Sequence, residues 1–186
     1  MAQEVISKKY LKTNSKINHS FACWAAATAA SASPVCRFKV TDGIVILESI
    51  GFTEDNLSVS NLPSPRSFDS QHRRWRNSAI IAAKKRRITM SHGVAAKLIN
   101  IYLKSIYICG GQSKHPKVAA LHPPIDSILL RELIKTSDKE HRQTFIRLSK
   151  IRWSKFTSAD YELAISTIRL LTHPKPIWTI ESLWNP

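Results

Sequence analysis

The chain has 186 residues, which is enough for one domain with a buried core or for two small lobes. The hydrophobic fraction of 43% excludes a disordered chain. Its net charge of +15 and isoelectric point near 10.1 favour a polyanionic partner, nucleic acid before an anionic membrane. The three cysteines form no CxxC pair, and no apolar run reaches transmembrane length, so we expect neither a disulfide framework nor a membrane span. No signal-peptide pattern is visible, and we expect a reducing, intracellular setting.

The positive charge is concentrated in the middle of the chain. Residues 56–125 contain twelve lysines and arginines but a single acid, Asp69. This asymmetry predicts one basic face rather than an even coat of charge.

The N-terminal third is predicted to be helical with a loop at its end. Residues 1–18 are polar and basic and fit a short helix or a loose arm. Residues 19–33 are rich in alanine, the best helix former, and Pro34 ends the predicted helix. Trp24 is interpreted as a core anchor rather than a base-stacking residue.

Thr41 and Asp42 are predicted to cap a helix that ends near Gly51. The β-branched residues of this stretch also fit a strand. We favour a helix because no second strand with an alternating pattern is available to pair with it. Residues 53–66 are rich in Ser, Asn and Pro and are predicted to be a loop and a lobe boundary.

A long predicted helix begins at residues 67–69 and carries a basic cluster around Trp75 and a second one at 84–87. Basic residues on both sides of an aromatic ring suit phosphate contact with stacking; the alternative is a solvated helix end with Trp75 packed inward. The basic residues expected to contact DNA here are Arg73, Arg74, Arg76, Lys84, Lys85, Arg86 and Arg87.

The next helix is predicted from Ser91 to Cys109, and a Gly-Gly pair stops it. At about 100° per residue, Lys97 lies on a polar stripe that it shares with Gly93, Asn100 and Lys104. Lys97 is therefore near the start of its helix and away from the apolar face.

A second helix start follows a short loop. Two prolines at 123 and 124 force an extended approach, and Asp126 or Ser127 begins a helix that runs to Lys135. An acid at a helix N-terminus is most simply a cap, because it complements the helix dipole.

The C-terminal part is predicted to hold a helix over 141–151, one capped near Thr157 and reaching Leu171, and near-helical spacing over 178–184. The fold class is therefore all-α, with about seven or eight helices in a single domain, 1–186, that has two small lobes, 1–62 and 63–186. The C-terminal helices are expected to pack back as core and lid. No GxGxxG, Walker A or zinc-ligand spacing is present, and we expect no metal site.

Two short segments resemble a known family. Residues 93–100, Gly-Val-Ala-Ala-Lys-Leu-Ile-Asn, resemble the end of the hairpin and the catalytic-lysine helix of the helix–hairpin–helix DNA glycosylases, in the 8-oxoguanine glycosylase branch. Residues 124–131, Pro-Ile-Asp-Ser-Ile-Leu-Leu-Arg, resemble the segment that carries the family's catalytic aspartate. By this match, over about 45 of the 186 residues, Lys97 takes the Schiff-base lysine position and Asp126 the aspartate position.

The match also departs from the family pattern. The hairpin, residues 88–93, has one glycine instead of two, and Ala95 stands at the second glycine position. The spacing from Lys97 to Asp126 is 29 residues (126 − 97), longer than in most members. The basic residues 84–87 are expected to replace part of the hairpin's contact with DNA phosphates.

The resemblance implies a monomeric, cytoplasmic, nucleoid-associated DNA glycosylase without a cofactor, which flips a modified base out of double-stranded DNA. Attack by Lys97 would add abasic-site lyase activity, and both base-excision repair and defence against phage DNA with modified bases stay open. Further DNA contacts are expected from Ser91, His92, Gly93 and Lys104. The candidates for the base pocket are Trp24, His72, Trp75, Asn100, Gln112, His115, His122 and Trp153.

The main alternative is a basic DNA- or RNA-binding protein without catalytic activity. In that case Lys97 is a surface lysine and Asp126 a helix cap, and neither matters more than any other single charge. A membrane-surface role ranks third because the chain lacks a basic amphipathic helix with an aromatic-rich apolar face.

Overall fold

The computed structural model describes residues 2–184, and the side chains of residues 12–184. Over this range the chain forms seven α-helices, a π-helical segment and several 3₁₀ turns, and it contains no strand, which confirms the all-α prediction. The α-helices are α1 (Ala2–Ser31), α2 (Val40–Ser49), α3 (Phe68–Lys85), α4 (His92–Leu103), α5 (Ser127–Thr136), α6 (Lys139–Ile151) and α7 (Ser158–Thr172).

Helix α1 is one continuous element of 30 residues. Of the two predictions for 1–18, the loose arm is therefore wrong, and the helix is longer than predicted because residues 2–18 continue into the alanine-rich part; residue 1 lies outside the described residues. No Gly or Pro interrupts the chain before Pro34, so nothing breaks the backbone hydrogen bonding. The alanine-rich half packs against α4 and α2, and its buried residues are Ala22, Cys23, Ala26, Ala27 and Ala30.

Residues 40–49 form helix α2 and not the alternative strand, and the helix begins earlier than predicted. Lys39 is the N-cap residue, and Asp42 Oδ2 accepts a hydrogen bond from the Lys39 backbone nitrogen at 3.2 Å. Asp42 is therefore an acid of the first turn rather than the cap itself. Gly43 allows α1 and α2 to approach closely, since a Cβ at this position would lie 2.5 Å from Cβ of Ala27.

The predicted helix from Ser91 to Cys109 is two elements. Helix α4 ends at Leu103 and continues as the π-helical segment Lys104–Gln112, which ends where Gly111 adopts a φ of +84°. The predicted helical spacing over 178–184 corresponds to a 3₁₀ turn, Ile177–Leu183.

The core consists of two hydrophobic clusters with α4 between them. The first draws on residues from Ala22 to Leu121, so it spans both sides of the predicted lobe boundary at 62/63. The second draws on residues from Ile125 to Ile180 and on Ala96 of α4. Because Ala95 and Leu98 belong to the first cluster, Lys97 lies where the two meet.

Two further properties concern residues 2–184. None of the helices in this range combines the length and the apolar character needed to cross a membrane. No three His, Cys, Asp or Glu side chains of the described residues lie close enough together to hold a metal ion.

Candidate active site

Lys97 and Asp126 meet although 29 residues separate them in the sequence. Lys97 Nζ lies 3.3 Å from Asp126 Oδ2, as a hydrogen-bonded ion pair. Lys97 is in the second turn of α4, and Asp126 is the N-cap residue of α5. The two segments that resemble the glycosylase family thus place these two side chains together.

Asp126 is both a helix cap and the partner of Lys97. Its Oδ1 accepts hydrogen bonds from the backbone nitrogens of Ile128 at 3.0 Å and Leu129 at 2.9 Å. Its Oδ2 accepts from Lys97 and from Trp184 Nε1, the latter at 3.1 Å. The capping interpretation is therefore confirmed, and it leaves one carboxylate oxygen facing Lys97. The contact with Trp184 was not predicted from the sequence.

Lys97 is an unusual lysine because it is buried. Only 8% of the residue is exposed, and Nζ lies 4.5 Å from the centre of the Trp153 ring. Burial lowers the pKa of Lys97 below its usual 10.5, and the charge and hydrogen bond of Asp126 oppose this shift. Removal from water thus outweighs the carboxylate, and the neutral amine is more accessible than on a surface lysine.

The pair lines a large cavity. Its volume is about 860 Å³, within the range of about 300–1,000 Å³ that is typical of small-molecule sites. Asp126 is the one acid among four cations in its wall. The rest of the lining comes from the residues that follow α1, from α5, from the end of α6 and from the α6–α7 connector. It includes Val35, Ile128, Arg131, Ile134, Lys135, Ser149, Arg152 and Trp153.

Trp153 reaches Lys97 because the α6–α7 connector crosses the start of α4. Gly93 permits this crossing: a Cβ at this position would lie 1.8 Å from the Trp153 carbonyl oxygen. The Gly93 nitrogen donates to the Phe156 carbonyl at 3.3 Å. Ser91 Oγ accepts from the Val94 nitrogen at 3.1 Å and donates to the carbonyl of Ser154 at 2.8 Å.

This arrangement corrects the expected DNA contacts of the hairpin. Gly93 is buried, and the polar groups of Ser91 are engaged by the connector. His92 is half-buried, and its Nδ1 lies 3.5 Å from Nη1 of Arg76. At the start of α4 the backbone nitrogens of Gly93 and Val94, donors of the kind that would bind a phosphate, are therefore already bonded to the Phe156 carbonyl and to Ser91 Oγ.

Asn100 lies one turn beyond Lys97, but it points away from the cavity. It is 1% exposed and its Nδ2 donates to the Pro123 carbonyl at 2.9 Å and to Tyr161 Oη at 3.0 Å. Its Oδ1 accepts from His72 Nε2 at 2.8 Å. Asn100 thus ties the Lys97 helix to the extended segment that leads to Asp126.

His122 extends the same buried network. Its Nδ1 lies 3.0 Å from Tyr161 Oη and its Nε2 2.9 Å from Asp69 Oδ1, and Asp69 also forms a bidentate pair with Arg169. The carboxylate accepts from Nε2, so Nδ1 accepts the proton of Tyr161. His72, Asn100 and His122 are consequently structural, which corrects their expected place in the base pocket.

The remaining base-pocket candidates are dispersed. Trp24 is 52% exposed and packs on Phe21, so the core-anchor interpretation is wrong. Trp75 packs inward on Phe52 and Phe68, as the alternative interpretation of its cluster expected. Gln112 and His115 lie at the end of the π-helical segment and in the loop after it, outside the cavity lining. Of the eight candidates, only Trp153 lines the cavity.

Most of the predicted DNA-binding cations have partners within the protein. Arg73 and the buried Arg76 both pair with Glu162. The other engaged cations are Arg74 with Gln71, Arg86 with Asp42 and Lys104 with Glu181. Lys84, Lys85 and Arg87 are exposed and form no ion pair with any described residue. These three are the cations of the predicted basic helix that remain available to a polyanion.

Sequence reasoning missed the cations of the cavity wall. Arg131 and Lys135 are one turn apart on α5, and Arg152 follows α6 with a φ of +68°. The spacing of Ser127, Arg131 and Lys135 places them on one face of a helix that starts at the candidate aspartate. This spacing is visible in the sequence and identifies Arg131 and Lys135, two of the three cations.

Comparison of the chain with protein-family models, with curated proteins and with solved structures finds no match. The resemblance to the glycosylases therefore consists of the two short segments and of the pair they carry. What can be inferred about function comes from the geometry of this site.

Proposed function

We propose that the protein is a DNA glycosylase that excises a modified base flipped out of double-stranded DNA, acting on cytoplasmic, nucleoid-associated DNA. The observation that carries this proposal is the buried Lys97–Asp126 pair, 3.3 Å apart in the wall of a cavity of about 860 Å³. A burial-lowered lysine pKa beside a carboxylate is typical of a nucleophilic site.

The reaction uses the two groups in different roles. The neutral amine of Lys97 attacks C1′ of the sugar, and the bond from C1′ to the base breaks with its electron pair leaving on the base. The lysine nitrogen loses a proton once the new C–N bond has formed, and the departing base takes up a proton, so the step balances. Asp126 stabilises the positive charge that develops on the sugar. Opening of the sugar ring then gives a Schiff base, from which strand cleavage can follow.

Trp153 and the cations of the wall support nucleic-acid binding. The Trp153 ring lines the cavity and offers an aromatic face to a flipped base, a contact worth about 1–3 kcal/mol per base. Arg131 and Arg152 are exposed at the cavity and suit the phosphates that flank the flipped nucleotide. In this proposal they take over the contact that the hairpin lacks.

The test is borohydride trapping on a duplex that carries an abasic site. We expect a covalent adduct with the unmodified chain and none with Lys97→Gln. Lys135→Gln is the matched control, because Lys135 lines the same cavity at the other end of α5, and it should retain the adduct at saturating DNA. On a substrate base, Asp126→Asn should slow release by about 100-fold.

The second candidate is a nucleic-acid-binding protein without catalysis. The observation in its favour is that Asp126 accepts four hydrogen bonds within the protein, as a purely structural cap would. Under this alternative no substrate yields an adduct or a released base. Lys97→Gln and Asp126→Asn would then each weaken binding no more than Arg131→Gln.

A further inference from the structure

The cavity is larger than one flipped base requires. Its volume of about 860 Å³ lies near the top of the range of about 300–1,000 Å³ in which proteins enclose drug-sized ligands. A flipped base is smaller than such a ligand, and enzymes that act on flipped bases hold them in snug pockets. Part of the volume is therefore left over once a base lies against Trp153.

The extra volume lies along α5, away from the catalytic pair. The lining follows this helix from Asp126 to Lys135, nine residues apart (135 − 126), which at 1.5 Å per residue is about 13 Å. The reacting sugar carbon must lie at the Asp126 end, because Lys97 and the carboxylate are there. The space beside Ile134 and Lys135 is thus beyond the reach of the base ring itself.

The lining of this far part points to a polar group without positive charge. Ser149, Ile134 and Lys135 contribute a hydroxyl, an aliphatic face and an ammonium group, which also donates to Glu132 Oε1 at 2.8 Å. Asp126 is the one carboxylate in the cavity wall, and it lies at the opposite end. A hydroxyl-bearing substituent finds hydrogen-bond partners and an apolar surface here, whereas a cationic substituent would meet Lys135.

We propose that the substrate base carries a hydroxyl-bearing substituent about the size of a hexose, and that this substituent occupies the part of the cavity lined by Ile134, Lys135 and Ser149. The proposal rests on the proposed glycosylase function and names its substrate class. The competing explanation for the extra volume is that flanking DNA backbone occupies it.

The experiment compares matched duplexes containing glucosylated 5-hydroxymethylcytosine, 5-hydroxymethylcytosine, 8-oxoguanine or an abasic site, with single-turnover base release and borohydride trapping as readouts. We expect release of the glucosylated base to be at least 10-fold faster than release of either smaller base. Faster release of a smaller base overturns the substrate class while the glycosylase function stands. No release and no adduct on any duplex overturns both.

A larger side chain in the far part of the cavity tests whether the substituent lies there. Ser149→Phe should slow release of the glucosylated base at least 10-fold and leave trapping at the abasic site unchanged, whereas Ser149→Ala removes the hydroxyl without filling the space and should slow that release less. Lys135→Trp, at an exposed position, is the second variant if Ser149→Phe does not fold. Equal slowing on the glucosylated and abasic duplexes would mean that flanking DNA backbone fills this space, and would overturn the assignment.

Discussion

At the scale of single residues, the candidate site depends on one carboxylate with two functions. Asp126 caps α5 with Oδ1 and faces Lys97 with Oδ2. The capping hydrogen bonds hold the carboxylate in one side-chain conformation, so its second oxygen stays near the amine of Lys97. A helix cap and a catalytic group are thus compatible assignments for the same residue.

The pKa of Lys97 should respond to Asp126 in a defined direction. Asp126 raises this pKa against the lowering by burial, so Asp126→Asn should lower it further. The measurement is the pH midpoint for modification of Lys97 by an amine-reactive reagent, read by peptide mass spectrometry. Glu132→Gln removes a carboxylate outside the cavity wall and should leave the midpoint unchanged. An unchanged midpoint in Asp126→Asn would contradict the contact.

Asn100 is expected to matter for stability through its hydrogen bonds. Asn100→Leu keeps a similar volume but leaves His72 Nε2 and the Pro123 carbonyl without this partner, and it removes one of the two hydrogen bonds of Tyr161 Oη. Each buried unsatisfied group costs about 1–3 kcal/mol, so we expect the free energy of unfolding to fall by about 2–4 kcal/mol. Denaturant titration measures this, with the exposed Asn61→Ala as control. A loss below about 0.5 kcal/mol would show that the network contributes little.

At the scale of elements, the α6–α7 connector determines what the start of α4 can do. Its carbonyl groups accept from the Gly93 nitrogen and the Ser91 hydroxyl, two donors that a free helix start would offer to an anion. The same crossing carries Trp153 to Lys97. One packing contact therefore occupies hydrogen-bond donors at the start of α4 and places the Trp153 ring in the cavity wall.

Gly93→Ala tests this crossing. The new methyl group would overlap the Trp153 carbonyl, so the connector must shift, at a cost of about 1–3 kcal/mol in unfolding free energy, and the Trp153–Lys97 contact should loosen. The matched control is Gly110→Ala, where the nearest atom lies 3.8 Å away. Equal melting temperatures for the two variants would contradict the close packing.

The sequence predicted the helices better than their junctions. Hydrophobic periodicity and caps located α3 and α5 to α7, because those signals are local. The change from α4 to a π-helical segment has no local signal of this kind. The Lys97–Asp126 pair was predicted only through the family resemblance. The contacts of Trp184 and of the connector with the site join distant segments, and residue spacing carries no information about them.

At the scale of the whole molecule, less of the net charge of +15 is available to a polyanion than the sequence implies. Several arginines of the basic middle region are held by acids from distant segments, as Arg73 and Arg76 are by Glu162. The cations around the cavity come mainly from after residue 126, outside the region that composition marked as basic. Ion pairing therefore reduces the uncompensated positive charge of the middle region, where Lys84, Lys85 and Arg87 stay unpaired with any described residue, and the cavity wall adds cations from a second part of the chain.

The buried histidines should make stability depend on pH. Burial lowers the pKa of both His72 and His122 below the usual 6.5. Below pH 6.5 the unfolded chain then binds more protons than the folded one, so this stability is complete above pH 6.5 and is lost as the pH falls. We expect the unfolding free energy to drop by about 1–2 kcal/mol from pH 7 to pH 5.

The pH dependence can be assigned with two variants. His72→Gln should reduce the drop in unfolding free energy between pH 7 and pH 5, because one of the two buried imidazoles is gone. His173→Gln replaces an exposed histidine and should leave it unchanged. Identical pH profiles for His72→Gln and the unmodified chain would assign the drop to other groups, of which the buried His122 is the first candidate.

The indole of Trp153 makes the cavity wall an optical reporter. Its ring borders the space where a ligand would stack, and it already lies against the ammonium group of Lys97. A base that stacks on the ring, or a Schiff base that removes the amine from it, changes the surroundings of this fluorophore, which is one of five tryptophans in the chain. The difference in emission between the chain and Trp153→Phe therefore follows occupancy in real time, without a label on the nucleic acid.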